Sequence, residues 1–398
     1  MSKLKELINK YCPNGVEYKP LGGKDVSLMQ RGTSLTKKDS TEGVYPVISG
    51  GKTPAFYCNQ YNRDGKTITV AGSGAGAGYV QYWNEPIFVC DAFSIKGANE
   101  VSTKYLYYCL TNLQDKIYAT KKGGGVPHVH ISSIDKFFIP IPPPLVQEEI
   151  VKILDRFAEL QAELQAELQA RQEQYECYRN KLLTFNEIER ASVIWMKMSE
   201  IGTFVRGKRF VRTDIVNDGV PCIHYGDMYT YYGLYATKSK GMLRNELASK
   251  MRYAQKNDVV IVATGENKED IGIGMAWLGD EPAAVHDACF IFKSDLYPQY
   301  VSHYLRTKYY HKQIVKHVSE GKICSISAKG LGNAIIPIPP YEEQVRIATL
   351  LNKFDTLVSD LVQGLPAEIA AVQEQYEYYR DKLLSFPKSL VSNKNWTR

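Results

Sequence analysis

Between residues 146 and 185 apolar side chains recur at intervals of three, four and seven. Ile150, Ile153, Phe157, Leu160, Leu164, Leu168, Tyr175, Tyr178 and Leu182 thereby fall on one face of a helix whose other face is charged or amide-bearing. Pro142 to Pro144 precede the run and Glu148 and Glu149 follow them, so a helix is predicted with proline in its first turn and acid near its positive end. The pattern returns as Ile347, Leu350, Phe354, Leu357, Leu361, Leu365, Val372, Tyr376, Tyr379 and Leu383. Gly364 and Pro366 interrupt this second run, and an interior proline costs about 3 kcal/mol or more, so a kink or short break is expected there. Each helix has one stripe to bury. The expected solution is stripe on stripe, antiparallel, with a helix of roughly 39 residues reaching about 58 Å.

The two runs are copies of one segment. Residues 139 to 185, reading IPIPPP, QEEIVKILDRF and QEQYECYRNKLLTF, are repeated at 336 to 386 as IPIPPY, QVRIATLLNKF and QEQYEYYRDKLLSF. Pro140, Gln147, Phe157 and Tyr175 answer to Pro337, Gln344, Phe354 and Tyr376. Duplication at this scale is an architectural statement. Inside the first copy, AELQ occurs three times over residues 158 to 169, a block that can be added or lost while a helix survives. Fainter echoes lie ahead of each copy: Lys66 to Gly72 resembles Asp258 to Gly265, and Cys90-Asp91-Ala92-Phe93 resembles Asp287-Ala288-Cys289-Phe290. The expected fold is therefore α/β (α+β) with a pseudo-two-fold repeat. Globular modules are expected at 1–145 and 191–342, separated by two long antiparallel coiled-coil helices at 146–190 and 343–390.

Charge adds a second asymmetry. The net charge of +6 divides into +6 over residues 1–145, −4 over 146–190, +4 over 191–342 and zero over the remainder, so the globular modules hold all the positive excess. Such a distribution suits a polyanion gripped at two places. With 44% apolar and 23% charged residues the chain is expected to be globular. It has no apolar run long enough for a membrane span and no signal-peptide core, so a cytoplasmic protein without membrane attachment is expected. Eight cysteines without a CxxC pair favour reduced thiols over disulfides or a bound metal.

Motifs for catalysis are missing where they would be looked for. The run GSGAGAG (72 to 78) lacks the GK[ST] of a P-loop and reads as a turn between strands. In IPPY (338 to 341), Ile338 stands where an adenine methyltransferase needs an Asp or Asn. His128 and His130 read as a strand edge, with no third ligand in sight. Binding character instead concentrates in loops that mix basic and small residues: Gln30 to Lys38 with Arg31, Thr33, Ser34, Lys37 and Lys38; Lys121 and Lys122 ahead of three glycines; and Arg206, Gly207, Lys208, Arg209 and Arg212. Glycine lets backbone approach a phosphate, and arginine can take guanine bidentately.

The doubled IPIPP and QEQYxxYRxKLL segments and the AELQ blocks, with IGTFVRGKRF, IHYGDMYTYYG, TGENKEDIG and VHDACFIF in the second module, resemble the specificity subunits of type I restriction-modification enzymes. The resemblance is to the subgroup with tandem four-residue repeats in the central helix, and covers essentially the whole chain. It implies a non-catalytic subunit whose two target recognition domains read a bipartite site on double-stranded DNA. It also implies helices that dock two methyltransferase subunits and, through them, restriction/translocase subunits. No cofactor is expected on this chain; S-adenosylmethionine, ATP and Mg would belong to the partners. By position, DNA contact is carried onto Arg206, Gly207, Lys208, Arg209, Tyr225, Gly226, Asp227, Thr264, Gly265, Glu266, Asn267 and Lys268. In the first module it falls on Arg31, Thr33, Ser34, Gly50, Gly51, Lys52, Ser73 and Gly74. Partner contact is expected at Tyr175, Tyr178, Arg179, Tyr376, Tyr379 and Arg380, aromatic and arginine anchors on the helices. Competing classes are a coiled-coil scaffold that binds no DNA and a self-sufficient modifying enzyme.

Overall fold

The computed structural model describes residues 2–123, 125–185, 193–360 and 363–389. Leu361 of the second apolar run, Gly124, and the expected boundaries at 190, 191 and 390 lie outside the described residues. The chain divides into two compact units, Met1–Leu164 with Ile369–Arg398, and Gln165–Glu368. Each unit contains one globular module, the opening of one helical copy and the close of the other.

In the first unit, strand Glu17–Pro20 pairs antiparallel with Phe138–Ile141. The IPIP sequence can serve here because this ladder has only two strands and leaves each proline an outer edge. A four-stranded antiparallel sheet runs in the order Ser27–Arg31, Ala92–Gly97, Thr67–Ala71, Val80–Trp83. A three-stranded sheet places Tyr45–Ile48 between Phe56–Cys58 and Phe88–Val89, the last pair being parallel. Helix Thr103–Asn112 lies against the four-stranded sheet, and Leu106 and Leu110 share a core with Val146, Ile150 and Leu154 of the long helix. The expected turn at GSGAGAG is present, joining Thr67–Ala71 to Val80–Trp83. Main-chain hydrogen bonds join Val16 to Pro387 and Ser389, so residues at the two extremes of the described chain close this unit.

The second unit follows the same plan. Ile194–Lys197 pairs with Ile335–Ile338 in the register that Glu17–Pro20 has with Phe138–Ile141. A five-stranded sheet runs Gly202–Arg206, Cys289–Ser294, Val259–Val262, Gly274–Trp277, Tyr235–Ala236. In the second sheet Cys222 and Ile223 run parallel to Ala284 and Val285, as Val47 and Ile48 run parallel to Phe88 and Val89.

The repeated motif has a structural reason. Gln147 is buried; its side chain accepts from the Ser102 N–H at 2.9 Å and donates to the Pro142 carbonyl at 2.8 Å. Gln344 does the same with the Tyr297 N–H and the Pro339 carbonyl, both at 2.9 Å. Tyr105 and Tyr300 donate their hydroxyls to the carbonyls of Pro140 and Pro337 at 3.0 and 2.9 Å. These bonds lock each long helix to its module at buried polar groups that would be costly to leave unpaired.

The first long helix, Pro144–Thr184, runs 41 residues without interruption. The second breaks into Tyr341–Ser359 and Leu365–Leu383. Gly364 permits the turn, since a Cβ there would lie 2.5 Å from the Thr356 oxygen, and Pro366 sits in the first turn of the new helix rather than in an interior. Within the first unit Phe157 stacks on Tyr379 at 5.6 Å and lies 6.3 Å from Tyr376, while Gln161 bonds to Gln373, so the two helical segments run in opposite directions. Within the second unit Phe354 meets Tyr175 and Tyr178 at 6.4 and 5.5 Å. The stripe is less regular than its period suggests: Leu164 and Leu168 are buried, but Leu160, Leu350 and Leu357 are exposed.

Candidate nucleic-acid interface

At the end of the strand that opens its main sheet, each module presents an Arg-Gly segment laid antiparallel on a strand far along the chain, an arrangement called the Arg-Gly hairpin although no turn joins the two strands. After Arg206, the Gly207 N–H donates to the Cys289 carbonyl at 3.0 Å and the Lys208 N–H to Val285 at 2.9 Å. After Arg31, the Gly32 N–H donates to Ala92 and the Thr33 N–H to Val89, both at 2.9 Å. A Cβ at Gly207 would stand 2.3 Å from the Val285 and His286 oxygens, and one at Gly32 2.0 Å from the Cys90 oxygen. Only glycine fits this approach. Arg31, Ser34, Arg206, Lys208 and Arg209 are exposed beside it.

In the second unit three distant segments gather around the hairpin. Arg206 donates from Nε to the Asp287 carbonyl at 2.9 Å, and its guanidinium lies 6.0 Å from the Phe290 ring. Arg212 folds back until its Nη2 is 3.0 Å from where a Cβ on Gly226 would be. The rings of Phe210, His224, Tyr225 and His286 cluster with centroids 4.7 to 6.0 Å apart. His224 Nδ1 accepts from the Gly226 N–H at 3.2 Å, and His286 Nδ1 accepts from the Ala288 N–H at 3.1 Å. A nitrogen that accepts an N–H carries no proton, so the 3.2 Å approach of Asp287 Oδ1 to His286 Nδ1 is not an ion pair. Burial, first of all, holds both histidines below the ordinary histidine pKa, with His286 and Arg212 acting on His224 in the same direction and Asp287 opposing at His286.

Asp227 is buried and paired with Lys240 at 2.9 Å. Strand Thr264–Gly265 pairs with Cys324–Ser325, and Tyr229 donates to the Thr264 carbonyl at 3.3 Å. Beyond it Glu266 is exposed, Asn267 bonds to Asp270 at 3.2 Å, and Lys268 is matched by Glu320. The structure thus brings Arg206, Arg212, Tyr225, Gly226, Thr264 and Gly265 into one neighbourhood. Lys268 has its charge answered within the module.

In the first unit Gly50 meets the glycine turn so closely that a Cβ would be 2.2 Å from the Ser73 oxygen, and one on Gly76 would be 2.5 Å from the Gly50 oxygen. Gly74 takes φ +78, the left-handed region that favours glycine. Ser73 donates to the Asp91 carboxylate and bridges to His128, which also pairs with Lys122, as Thr264 pairs with Ser325 and Ser319 pairs with Ser325 in the second unit. His128 therefore sits in two isolated bridges outside any strand, paired on both sides, and not on the strand edge expected from the sequence, while His130 precedes the short helix Ile131–Ile134. Lys52 and Lys121 lie over the rings of Tyr79 and Tyr118 at 5.2 and 4.3 Å. Lys37 and Lys38 stand exposed on a short 3-10 turn capped by Thr36.

Several residues at these sites carry no sequence signal of their own. His224 and His286 meet only because Ile223 pairs with Val285, and Asp91 and Asp287 stood out as part of the repeat, not as site residues. Arg63 and Arg252, which touch the hairpins from outside, had no visible motif. Among the described residues no group of three or more His, Cys, Asp or Glu side chains is arranged to hold a metal ion, and no helix is long and apolar enough to cross a membrane.

On the helices, Tyr175 is 5% exposed, with its hydroxyl 3.3 Å from Asp355 Oδ1 and 3.4 Å from His303 Nδ1. Arg179 lies over the Tyr175 ring at 5.0 Å. Arg380 lies over Tyr376 at 5.5 Å and donates to Asn112 at 3.0 Å. Tyr178, by contrast, is 41% exposed, and Tyr379 is half-buried.

Comparison with known proteins bears on both modules at once. A family model described as the type I restriction modification DNA specificity domain matches residues 14–173 and again residues 194–371. The specificity subunit of the type I restriction enzyme EcoR124I/EcoR124II of Escherichia coli is 30% identical over 95% of this chain and 96% of its own length. A putative type I restriction enzyme specificity subunit of Haemophilus influenzae is also 30% identical, over 93% of this chain and 96% of its own. The S subunit of a type I restriction-modification system from M. genitalium shares the fold, with a TM-score of 0.58 at 18% identity over 93% of this chain and 96% of that one. The mixed helix and strand content expected from the sequence is shared along with it. With both halves matched by one family model and relatives of this identity covering nearly the whole chain, the protein belongs to the family of type I restriction-modification specificity subunits.

Proposed function

We propose that this chain reads a bipartite DNA site, one half with each module, and carries the catalytic subunits of a restriction-modification complex to it. The observation that carries the reading is the Arg-Gly hairpin. It recurs with the same main-chain bonds in two modules whose surrounding side chains have diverged, as expected if a common way of approaching DNA serves two different sequences. Base contact is assigned to Arg31, Arg206, Arg212 and Tyr225 with the glycine turns at Gly50, Gly51, Ser73, Gly74, Gly226, Thr264 and Gly265. Lys37, Lys38, Lys121, Lys122, Lys208 and Arg209 supply phosphate contacts. The chain performs no chemistry; methyltransferase subunits supply S-adenosylmethionine and restriction subunits supply ATP and Mg. The long helices act as an antiparallel coiled coil that holds the modules apart.

Exchange of residues 191–342 for the module of a relative, followed by mapping of methylated sites in cells that hold the partner subunits, should change one half-site and leave the other. A change in both halves, or in neither, would remove the modular reading. The same map tests the AELQ blocks as a spacer. Deletion of Ala166 to Gln169 removes about 6 Å of one helix and should shorten the unread gap by about one base pair.

Docking of the methyltransferase subunits is assigned to one helix face in each unit, that of Tyr379 with Tyr376 and Arg380 in the first and that of Tyr178 with Tyr175 and Arg179 in the second. Tyr178→Ser should lower co-purification of the methyltransferase subunits while the melting temperature holds. Undiminished co-purification at high salt would sink the assignment.

A further inference from the structure

A second arginine touches the hairpin in each module, and nothing in the repeat announces it. Arg63 Nη2 donates to the carbonyl of Arg31 at 2.8 Å, and Arg252 Nη1 donates to the carbonyl of Arg206 at 2.7 Å. Both come from segments that border the sheet holding the parallel strand pair of their module. Arg63 exchanges main-chain bonds with Ile87 at 2.9 and 3.0 Å, and the Arg252 carbonyl accepts from the Val285 N–H at 2.9 Å. The separation along the chain differs, 32 positions in one module and 46 in the other, so the two arginines do not align in sequence. They arrive at the same carbonyl by different routes.

Their electrostatic setting is also shared. Among the described residues no carboxylate lies within 4.0 Å of Arg31, Arg63, Arg206 or Arg252, although thirteen lysine or arginine ion pairs occur elsewhere. Arg63 and Arg252 are each held on the main chain of another arginine and have no counter-ion of their own, so each keeps a positive charge that an anion would relieve. Arg252 is exposed and spends one donor on the Arg206 carbonyl, leaving four of the five guanidinium N–H groups. Arg63 spends three, on Ser94, Asn62 and Arg31, and keeps two. The free donors are anchored to main chain rather than carried on a loop that reaches into a groove. That placement suits the planar, two-oxygen edge of a phosphodiester better than a base edge.

The geometry points to Arg63 and Arg252 as backbone-binding residues, each gripping one DNA phosphate at the edge of its half-site while its bond to the hairpin carbonyl fixes how far the hairpin advances. The inference rests on the DNA-reading function proposed above. It adds that the two modules, though they read different bases, hold the phosphate chain in the same way.

The test uses the whole complex of this chain with its methyltransferase subunits and two duplexes, one containing the mapped target and one lacking it. Binding is followed from about 0.05 to 0.3 M salt. Arg252→Gln, which keeps a donor and loses the charge, should flatten the slope of log affinity against log salt by about one and weaken both duplexes alike, by about eightfold near 0.1 M. Arg252→Lys should retain the slope. Arg63→Gln should act in the same way. If it lowers the melting temperature, Arg63→Lys, expected to keep the wild-type slope, separates charge from packing. An unchanged slope in Arg252→Gln would overturn the assignment, whether affinity stays the same or falls only with stability. A loss confined to the target duplex would overturn it too, making Arg252 a base reader. If the unaltered complex shows no salt-dependent binding to either duplex, it is the DNA-reading function that fails.

Discussion

The two globular modules share their hairpins, their strand registers and their clamps to the helices, yet they differ in what fills the space between. In the first unit the sheet strands contribute Thr67, Thr69 and Ser94 as buried polar residues, with Arg63 bonded to Ser94. In the second unit Val260, Val262 and Ile291 pack instead with Met275 and Trp277 in an apolar cluster. Beside the hairpin the first unit has Leu35, Gly50 and Cys90, and the second has the rings of Phe210, Tyr225, His224 and His286. Main-chain pairing is what the modules keep. Side chains on and between the sheets are free to change, because a ladder of backbone bonds holds the hairpin whatever the interior is made of. This is the kind of scaffold on which recognition can diverge without loss of geometry.

If the hairpin is the shared element, breaking it should be equally severe in both units. Gly32→Ala and Gly207→Ala each force a Cβ against carbonyl oxygens of a neighbouring strand, and each should cost more than about 3 kcal/mol, read as a large fall in melting temperature. A mild effect in one module alone would show that its hairpin is held differently.

A pH titration should separate the units. In the second, His303 is fully buried, and burial pulls its pKa down to about 4. The unfolded chain therefore binds a proton that the folded chain refuses between about pH 6.5 and 4, so stability present above that window is lost as pH falls through it. The loss is on the order of 3 kcal/mol. His224 and His286 act in the same sense, and Asp355, raised chiefly by burial, acts in the opposite one. In the first unit Tyr108 stands at the place of His303 and bonds to Asp155 where His303 bonds to Asn352. His303→Tyr combined with Asn352→Asp should flatten the pH dependence of melting between 6.5 and 4. An equally steep curve in the double variant would exclude His303 as its source.

The smallest effect is expected at the clamps. Gln147→Leu and Gln344→Leu each leave a backbone N–H and a carbonyl without a partner, at a cost of about 2 kcal/mol, alike in the two units. Unequal costs, measured by denaturant titration, would mean that the repeated glutamine serves its two modules differently.

The helical copies were legible in the sequence because a helix writes its burial into a local period. The break at Gly364 and Pro366 was legible because it depends on two residues in place. The period did not reveal that Leu160, Leu350 and Leu357 are exposed, since burial depends on what lies opposite. It also read Tyr175 as an anchor for a partner, whereas Asp355, His303 and Phe354 of its own unit enclose it. Within the modules Arg-Gly was visible as a doublet, but its companions were not. His224 and His286 are joined by a parallel strand pair, and Arg63 and Arg252 by chain paths of unequal length, neither of which leaves a pattern in sequence.

The way the helical copies are shared also sets an order of events as the chain is made. The second unit is one continuous stretch, and its contacts can form once residue 368 has emerged. The first unit is not: Tyr18 bonds to Phe386, 368 positions away, and Phe157 waits for Tyr376 and Tyr379. The module synthesised first is therefore the last to be completed. Until then the apolar face of its long helix stays open to solvent, and slow closure of so distant a contact makes that interval the point at which the nascent protein is most exposed to aggregation.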